Sequence, residues 1–325
     1  MRPLVIIALL LAAISAAAFF MHKPVSDAPG GFVGEGLNPK IVETLAHASI
    51  ASDGLAIDLG NNITMKFVSL NPGTFVMGSP ESDPDAQKNE KPQINVTLTK
   101  GFLIGIHEVT QEQYKQVTNL DPVYFKYEGS KKHPVEHVTW FDAVRYCNSL
   151  SKATGLTPCY TDQEGSSGID AKDIIRCDWE ANGFRLPTEA EWEYACRAGT
   201  TGRYCCADEL SDEYAWHWKN SLVSYKPNSR GWGTNPVASK MPNAWGLYDM
   251  HGSLWEWCWD WYRIQRTASE AIDPVGPATG TLRTYRGGAW SSEPYRMRSA
   301  VRHGCPPYYR NGHLTFRVLR IKTEK

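Results

Sequence analysis

Two acidic residues at the start of the chain's most aromatic stretch have the chemistry of a hard-cation site. Asp249 and Glu256 flank a glycine in a predicted short loop. Carboxylate oxygens held around such a loop suit Ca²⁺, which prefers oxygen ligands. The alternative is a hydrophobic strand that carries two solvated acids, and spacing alone favours that alternative. Residue types and spacing therefore leave both interpretations open.

The stretch that follows the loop is predicted to be a core strand. Tryptophan occupies four alternate positions, Trp255, Trp257, Trp259 and Trp261. Alternate residues of a strand share one face, and each aromatic ring buries roughly 150–250 Å². This face therefore needs a partner surface in one compact domain, while Glu256 and Asp260 would point the other way.

Composition limits the classes of partner. The 325 residues carry a formal net charge of −1 and suffice for one large domain or two ordinary ones. Without a basic excess, a nucleic-acid partner is not expected. Abundant glycine, proline and aromatic residues indicate many short strands joined by ordered loops.

The N-terminus has the pattern of a targeting segment. Arg2 precedes an apolar run over 4–21 with small residues for cleavage at 16–18. Residues 1–23 are therefore predicted to be a signal peptide or an N-terminal anchor, and 24–63 a linker with a short lead-in. The protein is expected to be exported, periplasmic or extracellular, with membrane contact only through a possible anchor. Export would permit disulfides among the eight cysteines, and Cys159 and Cys177 could staple a local loop.

Local patterns predict an α+β class with much irregular loop. Two strands, 65–70 and 74–79, are predicted to form a hairpin, and further strands are expected at 94–98, 102–105 and 314–319. Helices are predicted to begin after three threonines, Thr110, Thr139 and Thr188. Asp142 and Glu191 would complete capping boxes in the second and third helices.

The motifs from about 64 to 321 resemble those of the formylglycine-generating enzyme (sulfatase-modifying factor) family. They are 75–79 (FVMGS), 107–110 (HEVT), 133–135 (HPV), 138–143 (VTWFDA), 185–195 (RLPTEAEWEYA), 242–250 (PNAWGLYDM), 255–257 (WEW), 286–288 (RGG) and 315–318 (TFRV). The resemblance implies a single α+β domain over 64–321 with a C-type-lectin-like fold and little regular secondary structure.

The resemblance also implies a structural calcium site. The family's ligands are an Asn or Asp side chain, two main-chain carbonyls and a Glu. These positions fall on Asp249, Gly252, Leu254 and Glu256. A second family calcium site would fall near Asn220 and Ser221, but its acidic position aligns near Ser229, so that site is not expected.

The family's reaction depends on two copper(I)-binding cysteines after the Arg-Gly-Gly motif, which oxidise a sulfatase cysteine to formylglycine. Here the first position falls on Ser291 or Ser292 and the second on Pro294. Hydroxyl oxygens do not replace thiolates as ligands of Cu(I). A substitute copper site from Met297, His303 and Cys305 is not expected either, so oxidase activity is the less favoured hypothesis. Two other cysteines that match structural cysteines of the family, Cys147 and Cys196, are predicted to be buried free thiols.

A scaffold without its catalytic cysteines leaves several hypotheses. The first is a module that binds a peptide or a glycan. Its ligand-binding candidates are Trp290, Ser291, Ser292, Tyr295 and Arg298. The alternative is a periplasmic tailoring or maturation enzyme of the pyoverdine-maturation kind. A diversified binding protein is ranked low, because residues 287–320 contain only one asparagine, Asn311.

Overall fold

A computed structural model describes residues 49–50, 55–126, 128–171, 174–221, 233–264 and 270–322. The predicted targeting segment at 1–23, most of the lead-in at 24–63 and Ser229 lie outside these ranges. The described residues all belong to one compact unit, Gly34–Lys325. Within them, no helix has both the length and the apolar character needed to span a bilayer.

Short strands and three short α-helices make up the described part of the chain, which confirms the predicted α+β class with little regular secondary structure. The strands are β1 Ser49–Ile50, β2 Ala56–Asp58, β3 Thr64–Leu70, β4 Gly73–Met77, β5 Ile94–Leu98, β6 Phe102–Gly105, β7 Tyr160–Thr161, β8 Arg176–Cys177, β9 Trp255–Trp261, β10 Glu270–Ile272, β11 Arg283–Arg286, β12 Arg302–Cys305, β13 Leu314–Thr315 and β14 Leu319–Ile321. The helices are α1 Gln111–Thr118, α2 Trp140–Ala153 and α3 Glu189–Arg197. The single strand predicted at 314–319 is instead two strands, β13 and β14, which belong to different sheets.

The strands form a five-stranded sheet β1-β2-β3-β6-β14, a four-stranded sheet β12-β11-β9-β13, a three-stranded sheet β10-β5-β4 and the pair β7-β8. The predicted hairpin of 65–70 and 74–79 is therefore wrong, because β3 pairs with β2 and β6 while β4 pairs with β5. Two-residue hairpin turns need positive φ angles, and neither Asn71 nor Gly73 has one. The chain instead crosses from one sheet to the next at this point.

All three helices begin at the predicted threonines. The hydroxyls of Thr110, Thr139 and Thr188 each accept the backbone N–H three residues on, and each capping box is complete. These caps satisfy backbone donors that the first turn of a helix leaves unpaired. The predicted apolar positions of α2 are buried in the core, including Cys147 and Leu150.

Strand β9 holds the predicted tryptophan stretch at the centre of the four-stranded sheet. Both of its faces are covered, since Trp257 and Cys258 are each 0% exposed. Glu256 and Asp260 are also buried, as is Asp249 in the preceding turn, so the interpretation of Asp249 and Glu256 as solvated acids is wrong. The reason is that distant partners compensate the acids of β9: Glu256 pairs with Arg317, and Asp260 accepts the N–H of Glu189 at the start of α3.

All eight cysteines are free thiols. The predicted staple between Cys159 and Cys177 is therefore not formed, and the loop between them is closed by the backbone pairing of β7 with β8. Cys147 and Cys196 are buried free thiols, as predicted.

Candidate functional site

A tight turn before β9 carries the first three predicted calcium ligands. Asp249 lies in the left-handed region with φ 60°, and Gly252 has φ 98°. A side chain at Gly252 would clash with the main-chain oxygen of Trp216, which explains the glycine. The Asp249 carboxylate accepts the N–H of Ala238 at 2.7 Å. Asp249 thus points toward segment 233–238 from a strained turn.

The fourth predicted ligand, Glu256, is fully buried and already paired. Arg317 donates Nε to its Oε2 at 2.6 Å and Nη2 to its Oε1 at 2.7 Å. Trp192 adds its indole N–H at 3.0 Å. Such a two-pronged charged contact is among the strongest hydrogen-bonding arrangements in proteins. Glu256 therefore has little capacity left for a cation while Arg317 stays in place.

A third buried carboxylate at this site escaped the sequence analysis. Neither oxygen of Glu108 accepts a well-formed hydrogen bond from the described residues, although the Ser253 hydroxyl lies nearby. Burial, with Asp249 and Glu256 adding repulsion, raises the pKa of Glu108 well above its usual range. Burial also raises the pKa of Asp249 to about 6. Glu108 belongs to the motif at 107–110 (HEVT). The only feature of the sequence that could have indicated its burial was an acidic residue beside apolar residues.

The donor set of this cluster suits calcium. When all three acids are ionised, their formal charge of −3 meets the +1 of Arg317, which leaves −2. Within the described residues, no hydrogen bond is directed at the main-chain oxygens of Gly252 or Leu254. No grouping of three His, Cys, Asp or Glu side chains in a metal-binding arrangement occurs there either. The groups here that could contribute to holding a cation are the carboxylates of Glu108 and Asp249 and the two carbonyls, all of which are oxygen ligands.

The loop after Arg286-Gly287-Gly288 is closed at its base by the arginine. The buried guanidinium of Arg286 donates to the main-chain oxygens of Ser299, at 3.0 Å, and of Val301. Gly287 and Gly288 have φ angles of 101° and 90°, a region that glycine enters without strain. Arg286 therefore fixes the shape of the loop that holds the family's catalytic positions.

The positions on this loop that the resemblance matches to the family's catalytic cysteines hold no thiol. Ser291 is exposed, while the Ser292 hydroxyl accepts the N–H of Ala289 at 3.1 Å. Pro294 begins a one-turn helix, Pro294–Met297. The nearest later thiol, Cys305, has its pKa raised by burial, which disfavours the thiolate that binds metal. No thiolate pair can form on this loop.

Aromatic rings cluster beside the loop on the sheet that contains β9. The rings of Trp255, Tyr285 and His303 pack together with centroids 5.2–5.7 Å apart. His313 links this group to Trp290, because its carbonyl accepts the N–H of Trp255 and its ring stacks on Trp290 at 4.8 Å. We call these five residues the aromatic face. Exposed tyrosines contribute to the surface of the same loops: Tyr295, Tyr308 and Tyr309.

The predicted ligand-binding residues differ in their exposure. Tyr295 and Ser291 are exposed, whereas Trp290 and Ser292 are each 8% exposed. Arg298 is 1% exposed. Its guanidinium binds Glu90 and Asp83 while Nε donates to the carbonyl of Tyr295. Arg298 therefore positions the main chain of Tyr295 from the interior of the protein. The structure does not bring the guanidinium of Arg298 to the aromatic face.

Fold and loop architecture together define the class of this protein. The protein-family model for the sulfatase-modifying factor enzyme 1-like domain matches residues 60–322, and the chain belongs to this family. The predicted family is thereby confirmed.

Individual relatives are similar over most of the domain. The chain is 37% identical over 217 residues to the chaperone protein LppX of Paenibacillus barcinonensis, covering 61% of this chain and 72% of that protein. It is 36% identical over 198 residues to the formylglycine-generating enzyme of Streptomyces coelicolor, covering 58% of this chain but only 53% of the enzyme. Among solved structures, Treponema denticola variable protein 1 matches with a TM-score of 0.69 and 31% identity, covering 82% of this chain and 98% of that one. PvdO from Pseudomonas aeruginosa matches with a TM-score of 0.63 and 25% identity over the same shares.

Proposed function

We propose that this protein is an exported, calcium-stabilised member of the family that binds a peptide or a glycan and does not generate formylglycine. One observation carries the proposal. The loop that bears the copper-binding cysteines in the family's oxidases here has Ser291, Ser292 and Pro294 at those positions, beside clustered aromatic rings. The site has lost its redox chemistry and kept a surface suited to recognition.

The chemistry of the aromatic face supports a binding role. Burial lowers the pKa of His303 and of His313 to about 4, so both imidazoles are neutral at physiological pH. Neutral rings and tyrosine hydroxyls suit contacts with sugar rings or peptide side chains, and aromatic residues dominate binding hot spots. Tyr309 accepts a hydrogen bond from Asn311, which orders its exposed side chain.

Binding can be tested with a glycan array and an immobilised peptide library. Alanine at Tyr295 or Tyr309 is expected to weaken binding of the ligand so found at least tenfold, because each removes a contact on the proposed surface. Ile272→Ala is the matched control, since Ile272 is 72% exposed on a strand of another sheet. Equal loss in all three variants, or no ligand in either library, would count against the proposal.

The oxidase hypothesis has a direct assay. The protein is incubated with copper(I), oxygen and a Cys-x-Pro-x-Arg peptide, and aldehyde is measured by mass spectrometry. No aldehyde is expected, because the loop has no thiolate to hold Cu(I). Aldehyde formation would overturn the main proposal.

Calcium is proposed to stabilise the fold by neutralising the buried cluster of Glu108 and Asp249. After removal of divalent ions with a chelator, added Ca²⁺ is expected to raise Tm, because a ligand that binds only the folded state stabilises it. Glu108→Gln and Asp249→Asn should reduce this shift. Glu180→Gln, at an exposed acid that pairs with Lys100, should retain it. An unchanged Tm on Ca²⁺ addition would refute the calcium site.

A second candidate is a tailoring or maturation enzyme that acts on another exported molecule. The sequence identity of this chain to a relative named as a chaperone protein favours a function that acts on a second protein. Mass spectrometry of a captured ligand, before and after incubation with the protein, separates the two candidates. An unchanged mass supports binding, and a changed mass supports enzymatic modification.

A further inference from the structure

A buried carboxyl group fastens the loop at 122–126. Glu136 is 0% exposed. Its Oε1 accepts the N–H groups of Tyr124, at 2.5 Å, and of Phe125, at 2.8 Å. Its Oε2 is buried as well, and no donor or acceptor among the described residues reaches it. One oxygen therefore holds the loop, while the other lacks the partner that a buried polar atom normally has.

The same loop packs against the aromatic face. The Phe125 ring fits between two glycines: a Cβ would stand 3.2 Å from the ring at Gly233 and 2.9 Å from it at Gly312. The Phe125 ring also meets the edge of Trp290 at a centroid distance of 6.0 Å. Trp290 in turn donates its indole N–H to the carbonyl of Gly312 at 3.3 Å. Glu136 thus fixes one side of a loop whose other side covers Trp290.

The groups around Glu136 offset a buried negative charge only in part, because burial raises the pKa by more than Lys126 and the N–H groups of Tyr124 and Phe125 lower it. Two charged residues of opposite sign act on it, Lys126 on the loop and Asp121 just before the loop. Burial lowers the pKa of His133 to about 4 and also lowers that of His137, so both are neutral near pH 7. Other titratable groups on the packed segments are Arg310 and His313. Burial lowers the pKa of His313 to about 4.

We propose that Glu136 is a proton-operated latch for the loop at 122–126. The protonated carboxyl group keeps the loop closed over Gly312 and Trp290. Ionisation places in the interior a charge that the two N–H groups and Lys126 offset only in part, which favours an open loop in which water reaches the carboxylate. The latch does not depend on the identity of any ligand, so it can fail or hold independently of the proposed binding function.

The size of the effect follows from proton linkage. Burial raises the pKa of Glu136 from 4.5 to about 7 in the closed state. The closed state binds more protons than an open state with an ordinary pKa, so opening is favoured as pH rises. Between pH 5 and pH 8 the ratio of open to closed loop should increase roughly 70-fold.

Hydrogen exchange at the two latched amides measures this ratio. Protection of the Tyr124 and Phe125 amides, corrected for the intrinsic pH dependence of exchange, should fall roughly 70-fold from pH 5 to pH 8. Glu136→Gln should remove this dependence because its side chain does not titrate. The amide of Gln113, which donates to the Thr110 hydroxyl, serves as the control within the same protein.

Two outcomes would overturn the latch. The first is protection of the Tyr124 and Phe125 amides that does not change with pH in the unaltered protein. The second is the same pH dependence in Glu136→Gln. Should the variant fail to fold, carboxyl ¹³C NMR of the unaltered protein decides instead. A Glu136 carboxyl that titrates near its usual 4.5 contradicts the proposal, and one that titrates near 7 supports it.

Discussion

Replacing Arg286 by methionine should be among the most destabilising single changes in the domain. The buried guanidinium pairs with Glu193 and donates to the carbonyls of Ser299 and Val301. Methionine would leave those carbonyls without this donor and would remove one arginine partner of Glu193, which also pairs with Arg197. Breaking a buried ion pair by removing one partner costs about 3–5 kcal/mol. We expect the free energy of unfolding to fall by that amount.

Arg283 on the same strand provides a matched control. It is 2% exposed, and no ion pair of its guanidinium is found among the described residues. Instead its Cζ lies 3.7 Å from the ring centroid of Trp140 and 3.5 Å from that of Trp261. Desolvation by burial lowers its pKa to about 9. Arg283→Met removes no ion-pair partner from a buried carboxylate. It should therefore cost only about 1–2 kcal/mol of cation–π and hydrogen-bond energy.

Urea unfolding followed by circular dichroism compares the two variants directly. For a domain of this size each kcal/mol corresponds to roughly 2–4 °C in Tm, so Arg286→Met should lower Tm by about 6–20 °C. Arg283→Met should lower it by only about 2–8 °C. A loss for Arg283→Met equal to or greater than that for Arg286→Met would refute the reasoning that carboxylate pairing decides the cost.

Three further outcomes are expected. Burial raises the pKa of Asp260 to about 7, so its contribution to stability is complete below about pH 4 and is lost as pH rises through 7. Asp260→Asn should therefore reduce the dependence of Tm on pH over this range. Parallel curves of Tm against pH for the two proteins would contradict this prediction. A Cβ at Gly73 would clash with the hydroxyl of Tyr194, so Gly73→Ala should cost about 1–3 kcal/mol in denaturant titrations, while Gly168→Ala on an exposed loop should not. Burial raises the pKa of Cys196 to about 12, so iodoacetamide at pH 8 should label it only after unfolding, and labelling of the native protein would disprove its burial.

Local signals in the sequence located the three helices and several of the strands. The three capping threonines marked the helix starts, because a capping box involves only residues within one turn. The alternating tryptophans marked β9, because strand periodicity is a property of adjacent residues. Pairing of β3 and β4 was mispredicted, since sheet partners depend on segments far along the chain. The family resemblance, carried by many short motifs in order, supplied the fold.

By itself, the sequence determined the family, the helix starts, the tryptophan strand and the absence of thiols at the catalytic positions. Only the tertiary structure decided which charges are buried and what compensates them. Glu256 finds Arg317 sixty-one residues away, and Glu136 holds the loop at 122–126 with one oxygen that none of the described residues pairs with. The physical reason is that the state of a buried acid depends on solvent exclusion and on the nearest countercharge. Neither is a property of neighbouring residues in the chain.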